Sequence, residues 1–179
     1  LTELKGREDV RAIVWRGEGS AWSSGRDVGA IGGGQVEMTH HELMSRGQWG
    51  IQQLWEIEAP VIVAIQGWAI GGSFQRALLC DIRIAAEGAR FLLPETTYGV
   101  IPDTGGVGVL FQMAGHGLVS DMVLTGRALT AEEALAQEVG GEAEDIGVVV
   151  AAADLGGELV MDEGGANAGH LVGRDAHAD

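Results

Sequence analysis

The sequence predicts an α/β fold. Two apolar, β-branched runs, residues 10–16 (VRAIVWR) and 61–66 (VIVAIQ), read as buried strands. A helical pattern lies between them, and a further strand and helices alternate after them.

The elements follow in chain order. Residues 10–16 end at Gly17, and the Gly/Ser-rich stretch GEGSAWSSGRD reads as a loop. Residues 28–34 end in three glycines and read as a mobile connection. Residues 38–58 are helical, with Leu43, Ile51, Leu54 and Trp55 at roughly helical spacing. Pro60 then opens the run at 61–66, whose continuous apolar character suits a strand covered on both faces. Residues 67–72 turn the chain, 73–80 (SFQRALLC) form a helix, and 81–86 (DIRIAA) form a strand. Residues 89–93 lead to Pro94-Glu95, and 99–108 form a Gly-rich loop. Residues 110–114 and 118–125 read as helices. Thr130 and Glu133 fit a capping box opening a helix to about Gln137. From Val139 the composition changes: no aromatic residue or lysine follows, Arg174 is the lone base, residues 143–160 offer a helix interrupted at Gly156-Gly157, and the tail from Asp162 reads as weakly ordered or atypical sequence.

A formal charge of -15 repels phosphate backbones and argues against nucleic-acid binding. No apolar run approaches the ~20 residues of a bilayer span, so no membrane partner is expected. The start at Leu1 shows no basic segment followed by an apolar one, so no targeting segment is expected. Cys80, the only cysteine, reads as a small buried hydrophobe, and a reducing cytoplasm is the expected compartment. His40-His41 lack a third partner at metal-ligand spacing, and the glycines at 32–34 lack the Lys and Ser/Thr of a phosphate loop.

Candidate chemistry concentrates in three places. The apolar run ending at Gly71-Gly72 and opening a helix offers backbone N–H groups without intrahelical partners, suited to an oxygen that gains negative charge. Close strand–helix packing explains the same glycines equally well. The loop Trp22-Ser-Ser-Gly-Arg-Asp27 offers either a second N–H or an ordinary turn. Glu95 and Asp103 lie in apolar surroundings that raise a carboxyl pKa and suit proton abstraction, or else serve as a surface acid and a loop cap.

Together RAIVWRGEGSAWSSGRDV, APVIVAIQGWAIGGSFQRALLCDIRIAAEGARFLLPE, YGVIPDTGG and LTGRALTAEEALA resemble the crotonase (enoyl-CoA hydratase/isomerase) superfamily, from about Leu4 to Gln137. The resemblance implies a spiral of ββα units, a homotrimer or hexamer, and an acyl-CoA substrate, with coenzyme A part of that substrate and no separate cofactor or metal. It implies an acyl-CoA-binding core over 1–138 and an atypical acidic, Gly/Ala-rich segment over 139–179. A strand and helix ahead of Leu1, and C-terminal helices after Gln137, belong to the family pattern and are not recognisable here.

The resemblance also implies roles. Family members hold the thioester oxygen between two backbone N–H groups, which match Arg26 and Gly72. Trp22, Ser24, Gly25, Asp27 and Val28, with Trp68, Ile70 and Gly71, would flank the substrate and its CoA. Hydratases of the family use two glutamates; the second matches Glu95, but the first falls on Gln75, which exchanges no proton at neutral pH. Some isomerases of the family use the Glu95 position alone, and others an aspartate matching Asp103. Double-bond isomerisation through Glu95, assisted by Asp103, is therefore the expected reaction. Water addition with Gln75 orienting the water, and acyl-CoA binding without turnover, are the alternatives.

Overall fold

The computed structural model describes residues 2–27, 39–138, 148–150, 160–164 and 168–172. Its main sheet is parallel, in the order β1 (Ile13–Arg16), β2 (Val61–Ile65), β4 (Ile82–Ala85), β7 (Val148–Val150). A smaller sheet joins β3 (Trp68–Ile70), β5 (Arg90–Leu92) and β6 (Leu129–Thr130), and β8 (Val160–Gly164) and β9 (Ala168–Val172) form a hairpin. The helices are α1 (His40–Trp55), α2 (Gly72–Leu78), α3 (Gly106–Thr125) and α4 (Ala131–Glu138), with a 3-10 turn at Glu95–Tyr98.

Each β-strand pair sends one strand to each sheet. β2 pairs with β1 and β4, while β3, two residues on, pairs with β5. The corner is Gly67, at φ +59 and so close to the loop after β1 that a Cβ would stand 2.1 Å from the Ser20 carbonyl oxygen. β4 and β5 repeat the step, with the Arg90 N–H donating to the Gly67 carbonyl at 2.7 Å. A helical element follows each pair, which produces the expected spiral of ββα units.

The predicted strands at 10–16, 61–66 and 81–86 contain β1, β2 and β4. Val63, Ala64 and Ile65 are buried in succession, so side chains on both faces of β2 are covered. β3 and β5, expected as turn and connector, are three residues each, too short to display a period. The strand that ends at Gly71 is accordingly β3 and not the run at 61–66. The two predicted helices at 110–114 and 118–125 are halves of α3, broken at Gly115 (φ 75, ψ 174), and α3 starts inside the predicted loop. By length and composition α3 is apolar enough to cross a bilayer, which the sequence reading had not expected. Here it packs on α2 and α4, with Leu110, Leu118 and Met122 buried.

The Thr130–Glu133 capping box is present, and Thr39 with Glu42 forms another at the start of α1. Ile51 and Leu54 of α1 are buried, but Trp55 is 65% exposed: the helix turns only part of its apolar stripe inward. A helix over 143–160 is overturned at residues 148–150, which extend the main sheet beside β4. Residues 28–38, with Val28 and the glycine triplet, lie outside the described residues. Cys80 is buried and its thiol is pushed up to about 12 by burial, as befits an inert hydrophobe.

One helix contact matters for the site. A methyl group at Gly106 would stand 2.5 Å from the Cα and carbonyl oxygen of Gln75, so α2 and α3 meet backbone to backbone. Gly106→Ala must push the helices apart and is expected to cost ~3 kcal/mol, measured as a lower denaturation midpoint at unchanged m-value.

Candidate active site

Gly71 sits at φ 60, ψ -130, a conformation that favours glycine, between β3 and α2. Its own N–H donates to the Leu92 carbonyl at 2.8 Å, and its carbonyl accepts the first helical bond, from the Gln75 N–H at 3.0 Å. The N–H groups of Gly72, Ser73 and Phe74 precede that bond and have no intrahelical acceptor. No side chain caps them.

The loop after β1 is laid along β3. Ser23 N–H donates to the Trp68 carbonyl at 3.0 Å, and Ile70 N–H donates to the Ser23 carbonyl at 3.1 Å. This parallel bridge matches Ser23 with Ala69. Gly25, at φ +82, lets the loop close: a Cβ there would lie 2.5 Å from the Ile70 carbonyl oxygen. Ser23 Oγ and Ser73 Oγ, 2.7 Å apart, tie the loop to the first turn of α2. Main-chain pairing thus lays the loop that leads to Arg26 along the strand that leads to Gly72.

A buried relay faces these glycines. Gln75 is 1% exposed; its Nε2 donates to Glu95 Oε1 at 2.8 Å, and its Oε1 accepts from the Thr104 N–H at 3.0 Å. The two bonds fix the amide's orientation, since only its oxygen can accept from a backbone N–H. Glu95 lies at the start of the 3-10 turn, and a Cβ on Gly71 would stand 3.4 Å from its Oε1. Its other oxygen, Oε2, is buried without a partner, and so is Thr104 Oγ1. Burial pushes the Glu95 carboxyl above the ordinary glutamate range; its own backbone N–H and Gln75 pull it back, and the Asp103 charge adds to the rise. A desolvated carboxyl with one oxygen held and one open suits the transfer of a single proton.

The other expected residues divide. Asp103 is exposed, and its carbonyl accepts from Gln48 Nε2 at 3.2 Å, which ties its loop to α1. Ser24 and Asp27 are exposed on the loop. Trp68 is 38% exposed with the Arg90 guanidinium 5.9 Å over its ring, and Ile70 is half-buried. Trp22 is instead 4% exposed, its ring 5.2 Å from Trp15, which puts its side chain in the core and off any ligand surface. Among the described residues no group of His, Cys, Asp and Glu is placed to hold a metal. Thr104, Ser23 and Ser73 were not singled out from the sequence. Thr104 is next to Asp103 in IPDTGG, and a neutral hydroxyl beside an acid carries no signal of its own.

Spiral, loop-on-strand pairing and buried carboxyl together define the crotonase class of fold. The sequence pattern of the enoyl-CoA hydratase/isomerase family matches residues 1–153, and the chain belongs to that family. It is 40% identical over 124 residues to a carnitinyl-CoA dehydratase of Salmonella enteritidis, an alignment covering 69% of this chain and 47% of that protein. Among solved structures it resembles DspI of Pseudomonas aeruginosa (TM-score 0.69, 31% identity, 77% of this chain and 53% of that one). It also resembles an enoyl-CoA hydratase of Bacillus anthracis (TM-score 0.69, 29% identity, 84% and 56%). The chain spans about half the length of the curated relatives it matches.

Proposed function

We propose that the protein acts on an acyl-CoA thioester, adding water to a 2-enoyl-CoA or removing it from a 3-hydroxyacyl-CoA, with Glu95 as the single proton-transfer group. The observation that carries this is Glu95 itself: Oε1 held by Gln75, Oε2 buried and open, both beside Gly71-Gly72. The Arg26 and Gly72 N–H groups polarise the thioester carbonyl and take up the charge of the enolate. In the elimination direction Glu95 Oε2 takes the α-proton, the Cα–Cβ double bond forms, and the Cβ–O bond breaks. The same proton goes to the departing hydroxyl, giving water and restoring the carboxylate. The 40% identical relative named as a dehydratase supports water chemistry over the isomerisation expected from the sequence.

Coenzyme A enters as part of the substrate, along the exposed edge formed by Ser24, Asp27, Trp68 and Ile70, and no further cofactor is needed for this proton chemistry. The protein assembles as a homotrimer or hexamer and works in the cytoplasm, which sedimentation and fractionation would check.

Isomerisation is the second reading, favoured by the Asp103 charge acting on Glu95. Rates on 2-enoyl-CoA, 3-hydroxyacyl-CoA and 3-enoyl-CoA separate the two. Hydration and dehydration are expected to exceed isomerisation. A faster 3-enoyl-CoA reaction that Asp103→Asn abolishes overturns water chemistry, and tight binding without turnover overturns both.

Gln75 has a measurable part in this scheme. Its N–H₂ stabilises the ionised Glu95, so Gln75→Leu is expected to move the acid limb of the kcat/KM profile to higher pH. An unmoved limb would show that Gln75 leaves Glu95 untouched.

A further inference from the structure

Among the described residues, Glu95 Oε2 and Thr104 Oγ1 are buried side-chain oxygens without partners, and both belong to residues that adjoin the glycine turn. Such atoms are rare in folded proteins, and a catalytic role is one physical reason for them. Both residues stand over one dipeptide. A Cβ on Gly71 would meet Glu95 Oε1 at 3.4 Å, and a Cβ on Gly72 would meet Thr104 Cγ2 at 3.8 Å. Gln75 spans the two, bonded to Glu95 Oε1 and to the Thr104 N–H, so one amide links both residues. Gly106 presses on the Gln75 backbone and fixes that amide's position in turn.

We infer that Thr104 Oγ1 and Glu95 Oε2 form a two-point seat for the water that is added or expelled, with Thr104 a catalytic residue of the reaction. The inference rests on the proposed water chemistry and names the group that performs half of it. In hydration, the water donates one O–H to Glu95 Oε2, and the Thr104 hydroxyl donates to the water oxygen. The second lone pair of that oxygen is left to attack Cβ. The C–O bond forms, the π electrons move to Cα and the thioester oxygen, and the proton taken by Glu95 is delivered to Cα. In elimination the same Thr104 O–H stabilises the oxygen as it departs with the bonding pair. Asp103, exposed and tied to α1 through its carbonyl, has no part in the seat.

The inference separates two activities that share Glu95 and the amide pair. Exchange of the α-protons of butyryl-CoA with deuterium oxide needs the base and the oxyanion site but no seated water. Hydration of crotonyl-CoA needs all three. Thr104→Val keeps the side-chain shape and the backbone N–H that Gln75 uses. It is expected to lower hydration 10–100-fold, and at least tenfold more than it lowers exchange. Thr104→Ser, which restores the hydroxyl, is expected to return hydration to within about threefold of the parent. A parallel fall of hydration and exchange in Thr104→Val, or no fall in either, overturns the seat and leaves Thr104 a packing residue. A parent protein that exchanges no deuterium from butyryl-CoA sinks the Glu95 reading, and the seat with it.

Discussion

Glu95→Gln is expected to lower turnover of the best acyl-CoA substrate by about 10³-fold while raising the thermal midpoint. The two effects have one cause. Burial holds the Glu95 carboxyl above its ordinary range, so the folded protein binds its proton more tightly than the unfolded chain does. Whatever stability this group supplies is complete at low pH, below the unfolded value. It is lost as pH rises through the raised folded value. Above that value the parent carries an ionised, partly desolvated carboxylate, and the glutamine variant does not. The amide oxygen of glutamine still accepts from Gln75 Nε2, so the relay survives. A gain of roughly 1–3 °C near pH 7, shrinking to nothing toward pH 4, is the expected melting pattern. Activity runs the opposite way in the parent, falling as the carboxyl is protonated, and its midpoint should lie above that of a free glutamate. A variant that keeps turnover, or melts lower at neutral pH, would place the base elsewhere.

A carboxyl raised by burial is an unusual feature in a folded chain, and unusual features are the parts most legible in a sequence. Glu95 was visible because it follows Pro94 in an apolar segment, an odd place for an acid. Gly71-Gly72 was visible because glycines at the mouth of a helix are punctuation. The order of long strands and helices followed from apolar runs such as 61–66. The failures have physical reasons too. β3 and β5 are held by partners distant in the chain, including the bridge from Ser23 to Ala69, and three residues carry no pattern of their own. The family resemblance set Trp22 beside the substrate, but its neighbour in space is Trp15, which only the fold reveals. Thr104 was passed over because a neutral hydroxyl announces nothing until its surroundings leave it without a partner. The substitution of Gln75 for an acid was seen, yet its consequence depends on bonds to Glu95 and Thr104, both far away in sequence.

The sharpest test of the oxyanion site removes one hydrogen. Gly72 is the first residue of α2, a position where proline is well tolerated because the N–H has no helical acceptor. A Cβ at Gly72 would meet nothing closer than Thr104 Cγ2 at 3.8 Å, so the first ring carbon is accommodated. The preceding residue is Gly71, at φ 60 and ψ -130, the mirror image of the extended conformation that proline imposes on its predecessor. Only glycine adopts that mirror form freely, so the backbone can remain as it is. Gly72→Pro thus deletes the proposed donor with little expected cost to the fold. Turnover is expected to fall 10²–10³-fold, about 3–4 kcal/mol of barrier, with the thermal midpoint within a few degrees of the parent. Gly72→Ala keeps the N–H and should retain most of the activity, which separates the lost donor from added bulk. Equal losses in both variants would mean that the turn needs glycine for space alone. The packing explanation of Gly71-Gly72 would then regain its standing.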